Sequence, residues 1–164
     1  MIPLAGYQSL DGEIRRPALE SNVNSGVKVA SPPAKPVLIY DGDCDFCSLW
    51  IRRWRQVIGD RLDYLPFQHA GVAACFPEVP RGRFEAAVQL IETDGRVYGG
   101  AEAVFRALAH RPRGRRLLRW YQRSSVFACA SEWAYRVVAG HRRFFFALTR
   151  LAVHSRRPFD KPTP

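Results

Sequence analysis

Val37-Leu38-Ile39-Tyr40-Asp41-Gly42-Asp43-Cys44-Asp45-Phe46-Cys47-Ser48-Leu49-Trp50 is the stretch that decides how the remaining chain reads. Val37 to Tyr40 is a short run of strand formers, and Asp41-Gly42-Asp43 supplies turn chemistry directly after it, which predicts a buried strand ending at Tyr40. From Cys44 the apolar residues Cys47, Trp50, Ile51, Trp54, Val57 and Ile58 recur at helical spacing, with Arg52, Arg53 and Arg55 between them, until Gly59 breaks the pattern. The spacing predicts an amphipathic helix that starts at a Cys-x-x-Cys.

Working outward, Leu62 to Phe67 alternates as a second strand, and Gln68 to Arg83, with Cys75, Pro77 and Pro80, is less regular. Ala86 to Ile91, then Asp94-Gly95, then Arg96-Val97-Tyr98 predict a hairpin, because Asp-Gly accepts the positive φ of tight turns. Gly99-Gly100 opens a helix through Ala101, Val104, Phe105, Leu108 and Ala109 that closes before Pro112. The order βαβ followed by ββα is that of a thioredoxin-like α/β core. Helical patterns at Leu117 to Arg123 and Ser131 to Val153 extend it at the C-terminal end. The expected organisation is an arm over residues 1–35, a domain over 36–153 whose C-terminal helices occupy about 115–153, and a tail over 154–164.

The chain has 164 residues, 47% hydrophobic and 24% charged, which favours one globular domain with a real core over a disordered chain or two full domains. No run of about 18 uncharged apolar residues occurs, and the N-terminus lacks the basic start and apolar core of a secretory signal, so the expected compartment is the cytoplasm. Four cysteines, at 44, 47, 75 and 129, are too few for a disulfide scaffold. The net charge of +10 is uneven: residues 1–105 hold 11 basic and 13 acidic side chains, and 106–164 hold 14 and 2. Such a C-terminal part suits a polyanion, and it sets up a competing reading of the chain as a basic module for an anionic membrane surface or nucleic acid, with a structural dithiol.

The chemistry concentrates at Asp41 to Cys47. Residues three apart lie above one another on a first helical turn, so two sulfurs there can close a small disulfide ring. Free N–H groups and the positive end of the helix dipole favour a thiolate at Cys44, the form that attacks disulfides. Cys47 shares the apolar face of Trp50, Ile51 and Trp54 and suits resolution of a mixed disulfide from inside. Asp41, Asp43 and Asp45 oppose the helix end; if they dominate, the pair leans towards a reductant. Asp41, if buried, is placed to accept a proton from Cys47 through water.

These residues resemble the DCC family of predicted thiol-disulfide oxidoreductases, named for an Asp-x-x-Cys-x-x-Cys pattern after an N-terminal strand, here Asp41 to Cys47. The likeness continues through Asp94-Gly95-Arg96-Val97-Tyr98-Gly99-Gly100-Ala101 to Ala134-Tyr135-Arg136-Val137-Val138-Ala139-Gly140-His141-Arg142, covering residues 36 to 150. It implies a thioredoxin-like core and dithiol–disulfide exchange, with Asp41, Cys44 and Cys47 as functional positions. The chain departs from the pattern twice. Arg81 to Glu85 precedes the third strand where thioredoxin-like proteins carry a cis-proline, and His141-Arg142 stands where the family commonly has Asn-Arg, with His141 on the apolar stripe.

Other residues carry less. Zinc would need a second close Cys or His pair, and c-type haem a His where Ser48 stands, so no metal or organic cofactor is implied. Cys75 and Cys129 read as small packed side chains, with Cys75 the better placed to approach the dithiol. His69, His110 and His154 show no ligand spacing. The implied partners are a disulfide-bearing protein or small thiol and an unspecified reducing partner. Arg111 to Arg116, beside Trp120-Tyr121 and Phe144-Phe145-Phe146, add a membrane-peripheral contact, and no nucleic-acid motif accompanies the arginines.

Overall fold

Strand β1 (Val37–Tyr40) is the hub of a mixed sheet ordered β2-β1-β3-β4, where β2 is Asp63–Pro66, β3 Gln89–Ile91 and β4 Val97–Gly99. The computed structural model of the chain describes residues 26–111 and 114–154, with side chains described as far as Thr149. β1 runs parallel to β2 with Val37 opposite Asp63, and antiparallel to β3 with Leu38 opposite Leu90; β3 and β4 form the hairpin with Leu90 opposite Tyr98. Helix α1 (Asp45–Ile58) and a 3-10 turn (Gly59–Arg61) connect the parallel pair, since parallel strands need a crossover that a tight turn cannot supply. This is the expected thioredoxin-like α/β arrangement with a helical C-terminal part.

Because side chains alternate across a strand, β1 feeds two cores. Val37 and Ile39 pack with Val72, Phe76, Phe84 and Ile91 on one face. Leu38 packs with Leu90 of β3, Ile51 and Ile58 of α1, and Ala103 and Ala107 of α4 (Gly100–Ala109) on the other. With both faces covered, β1 reads as an uninterrupted apolar run.

Three expectations are corrected. The arm expected over residues 1–35 does not reach the domain boundary at 36: Val29 N donates to Gly95 O at 2.9 Å, Val97 N to Val27 O at 3.1 Å, and Val29 is buried. Gly95 has φ +82°, and a Cβ there would lie 2.9 Å from Val29 O, so the turn glycine also admits this segment. Residues 1–25 and 155–164, where the rest of the expected arm and the tail fall, lie outside the described residues. The irregular Gln68 to Arg83 region contains two short helices, α2 (Ala70–Cys75) and α3 (Arg81–Ala86), because Val72 and Phe84 anchor them on the sheet; Ala86 thus ends α3 instead of starting β3.

The single helix expected over Ser131 to Val153 is two. α6 (Ser125–Gly140) starts earlier, capped by Ser124 Oγ accepting from Phe127 N at 3.2 Å, and stops at His141, whose φ −121° and ψ 35° leave the helical region. α7 (Arg142–His154) follows, and α5 (Arg115–Arg123) precedes. The apolar periodicity ran across Gly140 in phase, which hid the break. α5 and α6 pack against α4, and α7 against α1, so the extension lies over the α1/α4 layer. Glu132 of α6 fixes the join: its carboxylate accepts from Ala101 N at 3.3 Å, Glu102 N at 3.1 Å and Tyr121 Oη at 2.9 Å, placing negative charge at the start of α4.

Candidate active site

Cys44 is the residue before α1. Its backbone is extended (φ −92°, ψ 108°), and its Sγ accepts the Cys47 amide hydrogen at 3.3 Å, so the sulfur takes the position a Ser or Asp oxygen occupies in a helix cap. The apolar face of α1 carries Cys47 inward, and both cysteines are free and half-buried. Burial pushes the Cys47 thiol well above its ordinary 9.0; its hydrogen bond to Cys44, the Cys44 charge and Asp41 push the same way, against the nearby Arg142.

The two cysteines open onto different spaces. Cys44 lines a cleft of about 450 Å³ with Asp43, Asp45, Arg143 and Phe146. Cys47 lines an apolar cavity of about 520 Å³ between α1, α4, α6 and α7, with Trp50, Trp54, Phe105, Tyr135 and Phe145. Asp41, Phe46 and Arg142 border both. Trp50 Nε1 is buried without a hydrogen-bond partner.

Asp41, at the end of β1, is tightly held. Oδ2 pairs with Arg142 Nη1 at 3.3 Å, and Oδ1 accepts from Gln68 Nε2 at 2.7 Å and Asp43 N at 3.1 Å. Gln68 also donates to Asp43 Oδ2 at 3.1 Å and accepts from Gly42 N at 3.0 Å, so one carboxamide after β2 gathers the whole Asp41-Gly42-Asp43 turn. Arg142 reaches the opposite way as well, donating through Nη2 to Ala86 O at 3.0 Å and Glu85 O at 3.3 Å. The segment before β3 is therefore Ala86-Ala87-Val88, held by Arg142 and by Tyr135 Oη, which accepts from Val88 N at 3.0 Å. No cis peptide bond occurs among the described residues. Burial raises the Tyr135 hydroxyl to about 12, partly offset by that amide.

The structure thus brings together Asp41, Cys44 and Cys47, and it adds Arg142, Gln68 and Tyr135. The family likeness pointed at the His141-Arg142 pair; of the two, Arg142 enters the site, while His141 is exposed in the turn, its Nδ1 2.9 Å from Val137 O, not on an apolar stripe. Gln68 and Tyr135 had no spacing signal, since both reach the site across long sequence separations. Cys75 and Cys129 are exposed, contrary to the packed positions expected, and neither lines the space around the dithiol. His69 caps α2 by accepting from Gly71 N at 3.3 Å, and His110 lies 3.4 Å from Glu92. Among the described residues no group of three or more His, Cys, Asp or Glu side chains is gathered to hold a metal ion.

Comparison with curated proteins and with solved structures returns no match. The DCC1-like thiol-disulfide oxidoreductase family model matches residues 38–148, which takes in the four strands, but for Val37 of β1, and the site from Asp41 to Arg142. With that match over more than half its length, the chain belongs to the DCC1-like thiol-disulfide oxidoreductase family.

Proposed function

We propose that the protein exchanges its Cys44–Cys47 dithiol with the disulfide of a protein or small-thiol substrate, Cys44 attacking and Cys47 resolving. The observation that carries this is the asymmetry of the pair: Cys44 Sγ accepts the Cys47 amide at the start of α1, while burial and Cys44 itself keep the proton on Cys47. The Cys44 thiolate attacks one substrate sulfur and expels the first thiolate. Cys47 then gives up its proton, its Sγ attacks Cys44 Sγ, and the second thiolate leaves. One substrate disulfide becomes two thiols as the dithiol becomes a disulfide.

The timing follows from the causes acting on Cys47. Before attack, the hydrogen bond to Cys44 and the Cys44 charge both hold its proton. In the mixed disulfide Cys44 carries no charge, so both influences vanish while Arg142 still favours the Cys47 thiolate. Capture of substrate thus primes resolution. Asp41, which borders both cavities, takes the proton through water.

The test equilibrates the protein across thiol redox buffers, traps free thiols by alkylation and maps them by mass spectrometry. A reversible two-electron Cys44–Cys47 couple, on the order of −200 to −300 mV, is expected. Cys47→Ser should accumulate a mixed disulfide at Cys44, and Asp41→Asn should slow its resolution. No disulfide at any potential would end the proposal, and an unchanged resolution rate in Asp41→Asn would remove that residue's role.

A further inference from the structure

α6 leaves an apolar side uncovered. Val126, Cys129, Ala130 and Trp133 recur at helical spacing and are all exposed, Val126 at 78% and Trp133 at 69%. The opposite side of the helix holds the domain through Glu132 and Tyr135. On α5, Arg116, Arg119, Trp120 and Arg123 have the same spacing and are exposed, Trp120 at 65%. The Trp120 ring meets Phe127 of α6, the residue after Val126, edge-on at 6.1 Å, so the two helices adjoin at the end of α6 where the apolar stripe begins. Between 114 and 149 the only acidic side chain is Glu132, and its carboxylate is turned to Ala101, Glu102 and Tyr121.

We propose that this α5–α6 face docks on an anionic lipid bilayer, with Val126, Trp120 and Trp133 entering the boundary between headgroups and acyl chains and Arg116, Arg119 and Arg123 meeting lipid phosphates. Large exposed apolar residues in a group mark an interaction surface, and tryptophan suits a depth where one side is apolar and the other wet. The arginines make the partner anionic, and their long stems let the charge stay at headgroup level while the helix sinks. A bilayer also fits the arrangement of the face, an apolar stripe beside a charged one. Among the described residues no helix is long and apolar enough to cross a membrane, so the contact lies on the surface. This proposal stands on residues away from the dithiol.

The full chain is sedimented with phosphatidylcholine vesicles, with and without phosphatidylserine, over a range of salt. Binding is expected only to the phosphatidylserine vesicles, weakening as salt rises. Arg116→Gln/Arg119→Gln/Arg123→Gln should weaken it by roughly a hundredfold. Val126→Ser/Trp133→Ser should weaken it by roughly a hundredfold with the salt dependence kept. The substituted side chains are exposed, and an unchanged melting curve identifies each variant as folded. Absent binding, equal binding to neutral vesicles, or binding to single-stranded RNA without binding to vesicles would each overturn the proposal. None of these outcomes bears on the Cys44–Cys47 couple, which is read separately by alkylation.

Discussion

Replacing Arg142 by glutamine should damage the chemistry and the fold in separable amounts. At 3.3 Å and an effective dielectric of about 20, the Arg142–Asp41 attraction has a ceiling near 5 kcal/mol. Both side chains are 23% exposed, so desolvation cancels much of that. Arg142 also satisfies Glu85 O and Ala86 O, which glutamine can do only in part. A net loss of about 2 kcal/mol in unfolding free energy is expected, read from urea denaturation. The kinetic effect has a different origin. Arg142 is the charge that favours the Cys47 thiolate, and its removal leaves Asp41 unpaired and opposing it. Each tenfold loss of thiolate is offset by about threefold in nucleophilicity, so resolution should slow by about threefold for every tenfold. The assay follows decay of a mixed disulfide on Cys44 by rapid quench and mass spectrometry as a function of pH. The variant's rate should be lower at neutral pH and climb further into the alkaline range. A wild-type rate and pH profile in a folded Arg142→Gln protein would refute the electrostatic reasoning.

Three further outcomes follow from the same contacts. Gly100 has φ +62°, and a Cβ there would sit 2.7 Å from Glu132 Oε2, so Gly100→Ala should cost about 2 to 3 kcal/mol in urea; a cost under about 0.5 kcal/mol would show that Glu132 does not depend on that space. Folded Cys47 and Tyr135 hold their protons more tightly than the unfolded chain, from ordinary values of 9.0 and 10.0, with Tyr135 reaching about 12. Their stabilisation is therefore complete well below pH 9 and declines as pH rises; Tyr135 should account for a loss of about 2 kcal/mol between pH 10 and 12, absent in Tyr135→Phe, and a flat stability curve there would contradict its burial. Gln68→Ala releases the Asp41-Gly42-Asp43 turn and should cost about 1 kcal/mol with faster amide exchange at Gly42; unchanged exchange would show that the turn holds itself.

The sheet and its first helix were legible because their signals are local: an apolar run, a turn, a helical period ended by Gly59, and an Asp-Gly hairpin. The Cys-x-x-Cys and Asp41 were legible for the same reason. What escaped was held by tertiary contact. Val27 and Val29 stand in a largely polar stretch, and it is the pairing with the β3–β4 turn at Gly95 and Val97 that brings Val29 into the core. α2 and α3 are each six residues, too short to form without Val72 and Phe84 in the core. The α6–α7 break shows the limit of periodicity, which records which residues are apolar and cannot register a change of axis at His141 when the phase continues. Arg142 was visible only through its place in a family pattern, since no local feature says that its guanidinium crosses 101 positions to Asp41.

The C-terminal helices belong to the site as much as the thioredoxin-like core does. The core supplies Cys44, Cys47 and Asp41 from one strand–helix junction, a region with three carboxylates and no basic side chain from Val37 to Ile51. Left to itself, that junction would set negative charge against any thiolate it forms. α7 brings the guanidinium that pairs with Asp41, and α6 brings the tyrosine that holds Val88, so the charge balance at Cys47 and the position of the chain before β3 are both set from the extension. Arg142 spans from Asp41 to the Glu85 and Ala86 carbonyls and therefore couples the orientation of α7 to the charge balance at Cys47. A perturbation that tilts α7 should accordingly appear first in the rate at which Cys47 resolves, and only afterwards in whether the sheet stays folded.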